Sequence, residues 1–262
     1  MGNGSLTIVG TGISTGQVTA EARGHIEIAE NVLALVADPV TYNWLTKLNS
    51  STASLQHFYA EGKPRQRTYE EIVEYAIGLL RGGADVCFVL YGHPGVFAFP
   101  SHELMRRTHS EGIPARMLPG VSAEDCIFAD LGFDPGNVGC QSFEATDFLV
   151  YNRRFDPTSL LVLWQFGITG DLGYPTQQNT VGVQTLVRVL CRSYPSDHNV
   201  IVYEASPYPL CEPMSVRVAL TELPGANYSP ISTLVIPPLP SRPPTREMIE
   251  QLGLEMRSLR AK

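Results

Sequence analysis

The chain alternates between short apolar runs and stretches with helical spacing. Leu6 to Val9 is an apolar run that ends in Gly10-Thr11-Gly12, which predicts a buried strand entering a tight turn. Thr19 to Ala29 has helical periodicity. Val32 to Val36 predicts a second strand, closed by Asp38-Pro39, and Thr41 to Leu48 predicts a short helix. Thr68-Tyr69-Glu70-Glu71 has the form of a capping box, with Thr68 as cap and Glu71 reaching back. The helix that follows runs to Arg81 and stops at Gly82-Gly83, ahead of the apolar run Val86 to Leu90. Helix, glycine stop and strand in that order predict a β-α-β unit, a mostly parallel sheet and an α/β fold. His102 to Ser110 predicts a further helix and Ala115 to Leu118 a further strand.

Pro119-Gly120 punctuates the middle of the chain, and Ser122 is placed to cap the helix opening at Ala123-Glu124-Asp125. A domain boundary is expected here, giving an N-terminal α/β domain over 1–119 and a C-terminal one over 120–238. In the second, Leu160 to Gln165, Val200 to Glu204 and Thr233 to Ile236 read as strands, and Val181 to Ser193 as a helix. From 239 to 262 a proline-rich tail, with Pro240, Pro243 and Pro244, leads into a short helix from Arg246 to Arg257.

Composition narrows the function. With 262 residues, 44% of them hydrophobic, the chain can bury one large core or two modest ones. A formal net charge of -7 argues against nucleic-acid binding by phosphate neutralisation. No run is apolar enough to cross a bilayer, and Met1 to Ser5 has no basic segment of the signal-peptide kind. Cys87, Cys126, Cys140, Cys191 and Cys211 are odd in number and widely spaced. That disfavours a disulfide framework or a zinc site and fits a reducing cytoplasm, with each cysteine expected as a small buried apolar residue. His102 and His109 share one predicted helix without nearby carboxylates or thiolates, so they read as surface histidines and no metal is expected.

Three segments carry candidate chemistry. Gly10, Gly12 and Gly16 come close to a dinucleotide fingerprint, but the third glycine is late, so a plain tight turn and a ligand-facing loop stand level. Tyr91-Gly92-His93-Pro94-Gly95 directly follows an apolar strand, at the edge where open α/β sheets place ligands, although a plain loop with a surface histidine is an equal reading. Tyr59, Arg65 and Tyr69 lie in a polar segment that also holds Lys63 and Arg67. A guanidinium beside a phenol favours the phenolate, and such a pair can serve as a general base or oxyanion stabiliser. The competing reading is a solvated basic loop with anchoring aromatics, and residue types alone favour that one.

Taken together, Tyr91-Gly-His-Pro-Gly-Val-Phe97, Leu118-Pro-Gly-Val-Ser-Ala-Glu-Asp-Cys126, Phe128-Ala-Asp-Leu131 and Asp134-Pro135 resemble the borosin peptide backbone α-N-methyltransferases. These are a branch of the tetrapyrrole-methylase superfamily. The resemblance continues through Phe143-Glu-Ala145, Leu163-Trp-Gln165, Tyr203-Glu-Ala205, Ile231-Ser-Thr233 and Ile236-Pro-Pro238, covering about residues 5 to 238. It implies two α/β domains with a cofactor cleft between them, a homodimer, and S-adenosylmethionine as methyl donor with S-adenosylhomocysteine as product. Cofactor contacts would fall on Tyr91, His93, Val96, Phe97, Ser122, Ala123, Gln165, Tyr203, Ala205, Ser232 and Thr233. The catalytic positions would be Tyr59, Arg65, Tyr69 and Tyr91, with Arg65 rather than Arg67 matching the arginine.

Fungal members carry their own substrate segment in a C-terminal extension. This chain ends at Lys262 without an apolar tail, which leads to the expectation of a split form whose ribosomally made precursor peptide is a separate chain, as a dimer or a heterotetramer with two precursors. Rival readings keep the fold and change the substrate to a tetrapyrrole or ribosomal RNA, or make the chain a non-catalytic binding subunit.

Overall fold

The computed structural model describes residues 4–60, 62–171, 173, 177–241 and 243–255. Two compact units divide the chain. Of the described residues, the first takes 4–130, Gly173 and 205–213; the second takes 131–171, 177–204 and everything from 214 onward. The division therefore falls later than Pro119-Gly120, and the segment 205–213 returns to the first unit.

The first unit is built on five parallel strands, β1 (Leu6–Gly10), β2 (Asn31–Leu35), β3 (Thr52–Ser54), β4 (Val86–Leu90) and β5 (Ala115–Met117), in the order β3-β2-β4-β1-β5. Helices α1 (Ala20–Ile28) and α2 (Pro39–Leu48) cover one face, and α3 (Arg65–Arg81) and α4 (Phe99–Ser110) the other. The apolar character of β4 follows from this layering. Val86, Phe88 and Leu90 pack with Ile72, Ile77 and Leu104, while Cys87 and Val89 pack with Ala22, Ile26 and Leu45. A parallel central strand buried on both faces needs apolar residues at every position. Burying a side chain such as Phe88 or Ile77 contributes about 1.5–3 kcal/mol.

Helix α5 (Ala123–Leu131) starts at Ser122 as the sequence predicts. The Ser122 hydroxyl accepts from the Asp125 amide at 3.2 Å, and Asp125 accepts in return from the Ser122 amide at 2.7 Å. The box expected at Thr68 does not form. Helix α3 begins earlier, with Pro64 preceding Arg65; Thr68 is buried within the helix, and Glu71 pairs with Lys63 and Arg67. Pro64 holds the cap position at φ -56°, and no side chain caps the first turn of α3.

The second unit holds a mixed sheet. Its order is β6-β7-β10-β8-β9, from β6 (Cys140–Glu144), β7 (Leu160–Trp164), β8 (Asn199–Glu204), β9 (Met214–Ala219) and β10 (Thr233–Ile236). Only β6 and β7 pair in parallel. Short helices α6 (Pro135–Val138) and α7 (Ala145–Val150) flank β6, and α8 (Thr180–Leu190) buries Val183, Leu186, Val187 and Leu190 along one stripe. Helix α9 (Arg246–Gln251) follows the proline-rich stretch; the rest of the helix expected to Arg257 lies partly outside the described residues.

The cysteines meet the expectation of burial only in part. Cys87 and Cys126 are buried, Cys140 is half-buried, and Cys191 and Cys211 are exposed. Among the described residues no helix is long and apolar enough to cross a membrane, and no cluster of histidine, cysteine or carboxylate side chains is arranged to hold a metal ion.

Candidate functional site

Strands β1 and β4 are neighbours, yet the chain leaves β1 for α1 on one face and β4 for α4 on the other. That divergence is the switch point at which open α/β sheets form a crevice at the carboxyl ends of their strands. Here the two following turns are tied together. The Gly92 amide donates to the Gly12 carbonyl at 2.9 Å, and the Gly12 amide returns a bond at 3.3 Å. Both glycines have positive φ, +68° and +73°. A Cβ on Gly10 would sit 2.1 Å from the Gly92 carbonyl oxygen. Close approach of two backbones accounts for Gly10, and left-handed φ accounts for Gly12 and Gly92.

The near-fingerprint at Gly10, Gly12 and Gly16 is therefore not a phosphate cradle. The amides of Ile13 and Ser14, which would face a phosphate, donate to the Gln17 side chain at 2.7 and 3.2 Å.

Every candidate of the first unit except Ala205 springs from the carboxyl edge of the parallel sheet. Tyr59 follows β3, and Arg65 and Tyr69 occupy the first turns of α3. Tyr91, His93, Val96 and Phe97 follow β4, and Ser122 and Ala123 follow β5. The Tyr59 and Tyr69 rings meet edge to face with centroids 6.4 Å apart, and Tyr69 stacks on Phe99 at 6.1 Å. Arg65 is half-buried, whereas Arg67 is exposed and spent on Glu71 at 3.3 Å.

Lys63 was not singled out by the sequence for any role, yet it links the two tyrosine segments. Its ammonium donates to the Phe58 carbonyl at 2.8 Å and to the Glu71 carboxylate. That hydrogen bond to Lys63 is the main reason the Glu71 carboxyl is held below its ordinary range. A lysine anchored at both ends by side chain and backbone is legible only once the loop and α3 are seen side by side.

On the β4 loop, Tyr91 is 48% exposed and Phe97 57% exposed. Phe97 holds φ +50°, one of three non-glycine residues with positive φ among those described. His93 accepts from the Gly95 amide through Nδ1 at 2.9 Å, which leaves the ring proton on Nε2 in the neutral form. The Ser122 hydroxyl and amide are both committed to Asp125, so Ser122 serves as a helix start.

In the second unit, the carboxyl ends of β7 and β8 and the beginning of the antiparallel β10 share one sheet edge, as the pairings Thr233 with Tyr203 and Leu234 with Leu163 require. That brings Gln165, Tyr203, Ser232 and Thr233 to the same edge. Gln165 is another of the positive-φ residues, at +54°. Strained φ on a side-chain-bearing residue costs of order 1–3 kcal/mol and gathers at functional positions. Tyr203, Ser232 and Thr233 are buried. Ala205, just past β8, is grouped with the first unit.

Tyr91 and Phe97 are exposed aromatic side chains on the β4 loop, and its Gly92 to Gly95 turn lets backbone approach a ligand.

The fold and the sheet-edge candidates define a class. The chain belongs to the tetrapyrrole (corrin/porphyrin) methylase family, whose sequence pattern it matches over residues 5–209. It is similar in fold to the uroporphyrin-III-C-methyltransferase of Thermus thermophilus, with a TM-score of 0.64 over 89% of this chain and 92% of that one. At 20% identity that likeness concerns the fold alone.

Within the class, the similarity is more particular. The chain is 40% identical over 257 residues to a methyltransferase/ribosomally synthesized cyclic peptide gymnopeptides precursor from Gymnopus fusipes, covering 96% of this chain and 61% of the relative. It is 41% identical over 245 residues to a methyltransferase/ribosomally synthesized type I borosin cyclic peptide precursor from Coprinopsis marcescibilis, covering 90% of this chain and 62% of the relative. The chain thus spans about three fifths of the length of these relatives, which join methyltransferase and precursor in one polypeptide.

Proposed function

We propose that this protein is an S-adenosylmethionine-dependent methyltransferase that iteratively methylates backbone amide nitrogens of a ribosomally made precursor peptide. The observation that carries the reading is identity near 40% along almost the whole chain to methyltransferase/precursor proteins, several of them borosins. The tyrosine pair beside Arg65 adds chemical sense to it.

An amide nitrogen is a poor nucleophile because its lone pair is delocalised into the carbonyl. It attacks only once its proton is lost. In the proposed reaction Tyr59 or Tyr69 takes that proton, and Arg65 or Tyr91 steadies the charge that develops on the amide oxygen. When bound, S-adenosylmethionine would supply an electrophilic sulfonium methyl group, with S-adenosylhomocysteine as the product. One S–C bond breaks and one N–C bond forms, and the net proton is released through the tyrosine. Tyr91, His93, Val96, Phe97, Ser122 and Ala123 would hold the donor from the first unit. Gln165, Tyr203, Ala205, Ser232 and Thr233 complete the proposed contacts. The enzyme is a cytoplasmic homodimer in this reading.

Co-expression with the small open reading frame beside its gene, followed by intact mass of both chains, tests the reading. The expected result is a ladder spaced by one methyl group on the partner, localised to backbone amides by fragmentation. Methyl groups on the chain itself would replace the separate precursor with self-methylation. Cofactor binding without any peptide product would point to another substrate of the same fold, and no cofactor binding would leave the non-catalytic reading.

A further inference from the structure

We propose that Glu204 is a positioning residue for the cofactor contacts of the second unit, acting through a two-serine clamp; this rests on the reading above. Glu204 closes β8 and is half-buried. Its Oε1 accepts hydrogen bonds from the hydroxyls of both Ser229 and Ser232. The clamp continues into the backbone of the turn that enters β10. The Ser229 amide donates to the Ser232 hydroxyl at 2.8 Å, the Ile231 amide donates to the Ser229 hydroxyl at 3.2 Å, and the Ser232 amide donates to the Ser229 carbonyl at 3.2 Å.

The proton inventory decides what Ser232 does. A hydroxyl has one proton to give. That of Ser232 goes to Glu204, and the oxygen already accepts from Ser229. The Ser232 hydroxyl is therefore not a donor to a ligand. Its place among the cofactor positions is explained by the shape it gives the turn, which sets where Thr233 starts β10 beside Tyr203. The same turn reaches the β7 loop. A Cβ on Gly167, two residues past Gln165, would lie 2.3 Å from the Ser229 carbonyl oxygen. One carboxylate oxygen thus fixes a turn that touches all three segments carrying Gln165, Tyr203 and Thr233. The other oxygen, Oε2, makes no hydrogen bond among the described residues, so a glutamine at 204 keeps the acceptor that the serines need.

The test is the affinity of the full chain for S-adenosylhomocysteine by calorimetry, with melting curves on the same samples. Glu204→Ala is expected to weaken binding about tenfold or more, since a shared charged acceptor is lost. Glu204→Gln is expected within about threefold of wild type, because its amide oxygen replaces Oε1. In turnover assays Glu204→Ala is expected to raise KM for S-adenosylmethionine while kcat holds, as Glu204 touches no reacting atom. Ser229→Ala, a smaller change at a residue outside the proposed contacts, should weaken binding in the same direction and covers the case of an alanine variant at 204 that does not fold. Wild-type affinity in both alanine variants, or equal loss in Glu204→Gln and Glu204→Ala, would overturn the proposal. A wild-type chain that binds neither S-adenosylmethionine nor its product would sink the functional reading and this inference together.

Discussion

The ring of Tyr59 meets that of Tyr69 edge to face, their planes at 85° and their centroids 6.4 Å apart, although one follows β3 and the other lies on α3. If these phenols and Arg65 handle the amide proton, removing one hydroxyl should damage turnover more than folding. Tyr59→Phe, Tyr69→Phe and Arg65→Ala are expected to lower kcat for peptide methylation, the true base by about 10²–10⁴-fold. Melting temperatures should stay near wild type in the two phenylalanine variants. Near-wild-type turnover in all three would refute the assignment.

Lys63 ties the Tyr59 segment to α3 through Phe58 and Glu71. Lys63→Met removes both bonds and leaves the Phe58 carbonyl without that donor. We expect a stability loss of about 1–2 kcal/mol in urea titrations. A fall in kcat larger than that of Arg67→Ala, a residue exposed on the same helix, is expected as well. Equal, small effects in the two variants would reduce Lys63 to an ordinary surface ion pair.

The Gly10 position leaves no room for a side chain. Gly10→Ala should force β1 and the Gly92 turn apart, since the new carbon would meet a backbone oxygen at 2.1 Å. Overpacking of this kind costs about 1–3 kcal/mol. Chemical denaturation should show it. Gly62→Ala, a glycine with φ +72° but open space around it, separates conformational strain from steric conflict.

Burial pushes the Cys87 thiol up to about 12 from its ordinary 9.0. The unfolded thiol therefore ionises first, and between those values the folded state holds the extra proton. Stability should fall as pH rises from about 9 toward 12, with no contribution from this group below that window. Cys87→Ala should flatten that part of the profile. Thiol labelling at neutral pH should modify exposed Cys191 and Cys211 quickly and Cys87 only on unfolding. Prompt labelling of Cys87 in the native protein would contradict its burial.

Legibility of the sequence tracked the strength of each physical signal. The apolar runs at Leu6, Val86, Leu160 and Val200 became strands because central strands of a covered sheet need apolar residues throughout. β6 and β9 went unread: Cys140-Gln-Ser-Phe-Glu144 is half-buried along its length, and Met214 to Ala219 lies at the sheet edge with Ser215, Val216 and Arg217 exposed. The box at Thr68 failed because Pro64 starts the helix a turn earlier. At the site, glycine-rich turns and the tyrosine–arginine segment were visible as residue types. The left-handed φ of Phe97 and Gln165, the Lys63 link and the serine clamp on Glu204 depend on neighbours distant in sequence, which no local pattern records.

The Asp38 carboxyl caps α2, accepting from Thr41 at 2.7 Å, and accepts from the Tyr208 hydroxyl at 3.1 Å. Burial pushes this carboxyl up, but the bonds from Thr41 and Tyr208 outweigh it and hold it below its usual value. Tyr208 belongs to the stretch 205–213, which the first unit takes back after the strands β6, β7 and β8 have been laid down. On the ribosome, the N-terminal half must then wait. Its last piece emerges only after most of its neighbour's strands, so N-terminal-first completion, the usual order for a nascent multidomain chain, is closed to it. Nor does one proteolytic cut divide the chain into the two units: any single nick separates some residues from the unit to which they belong.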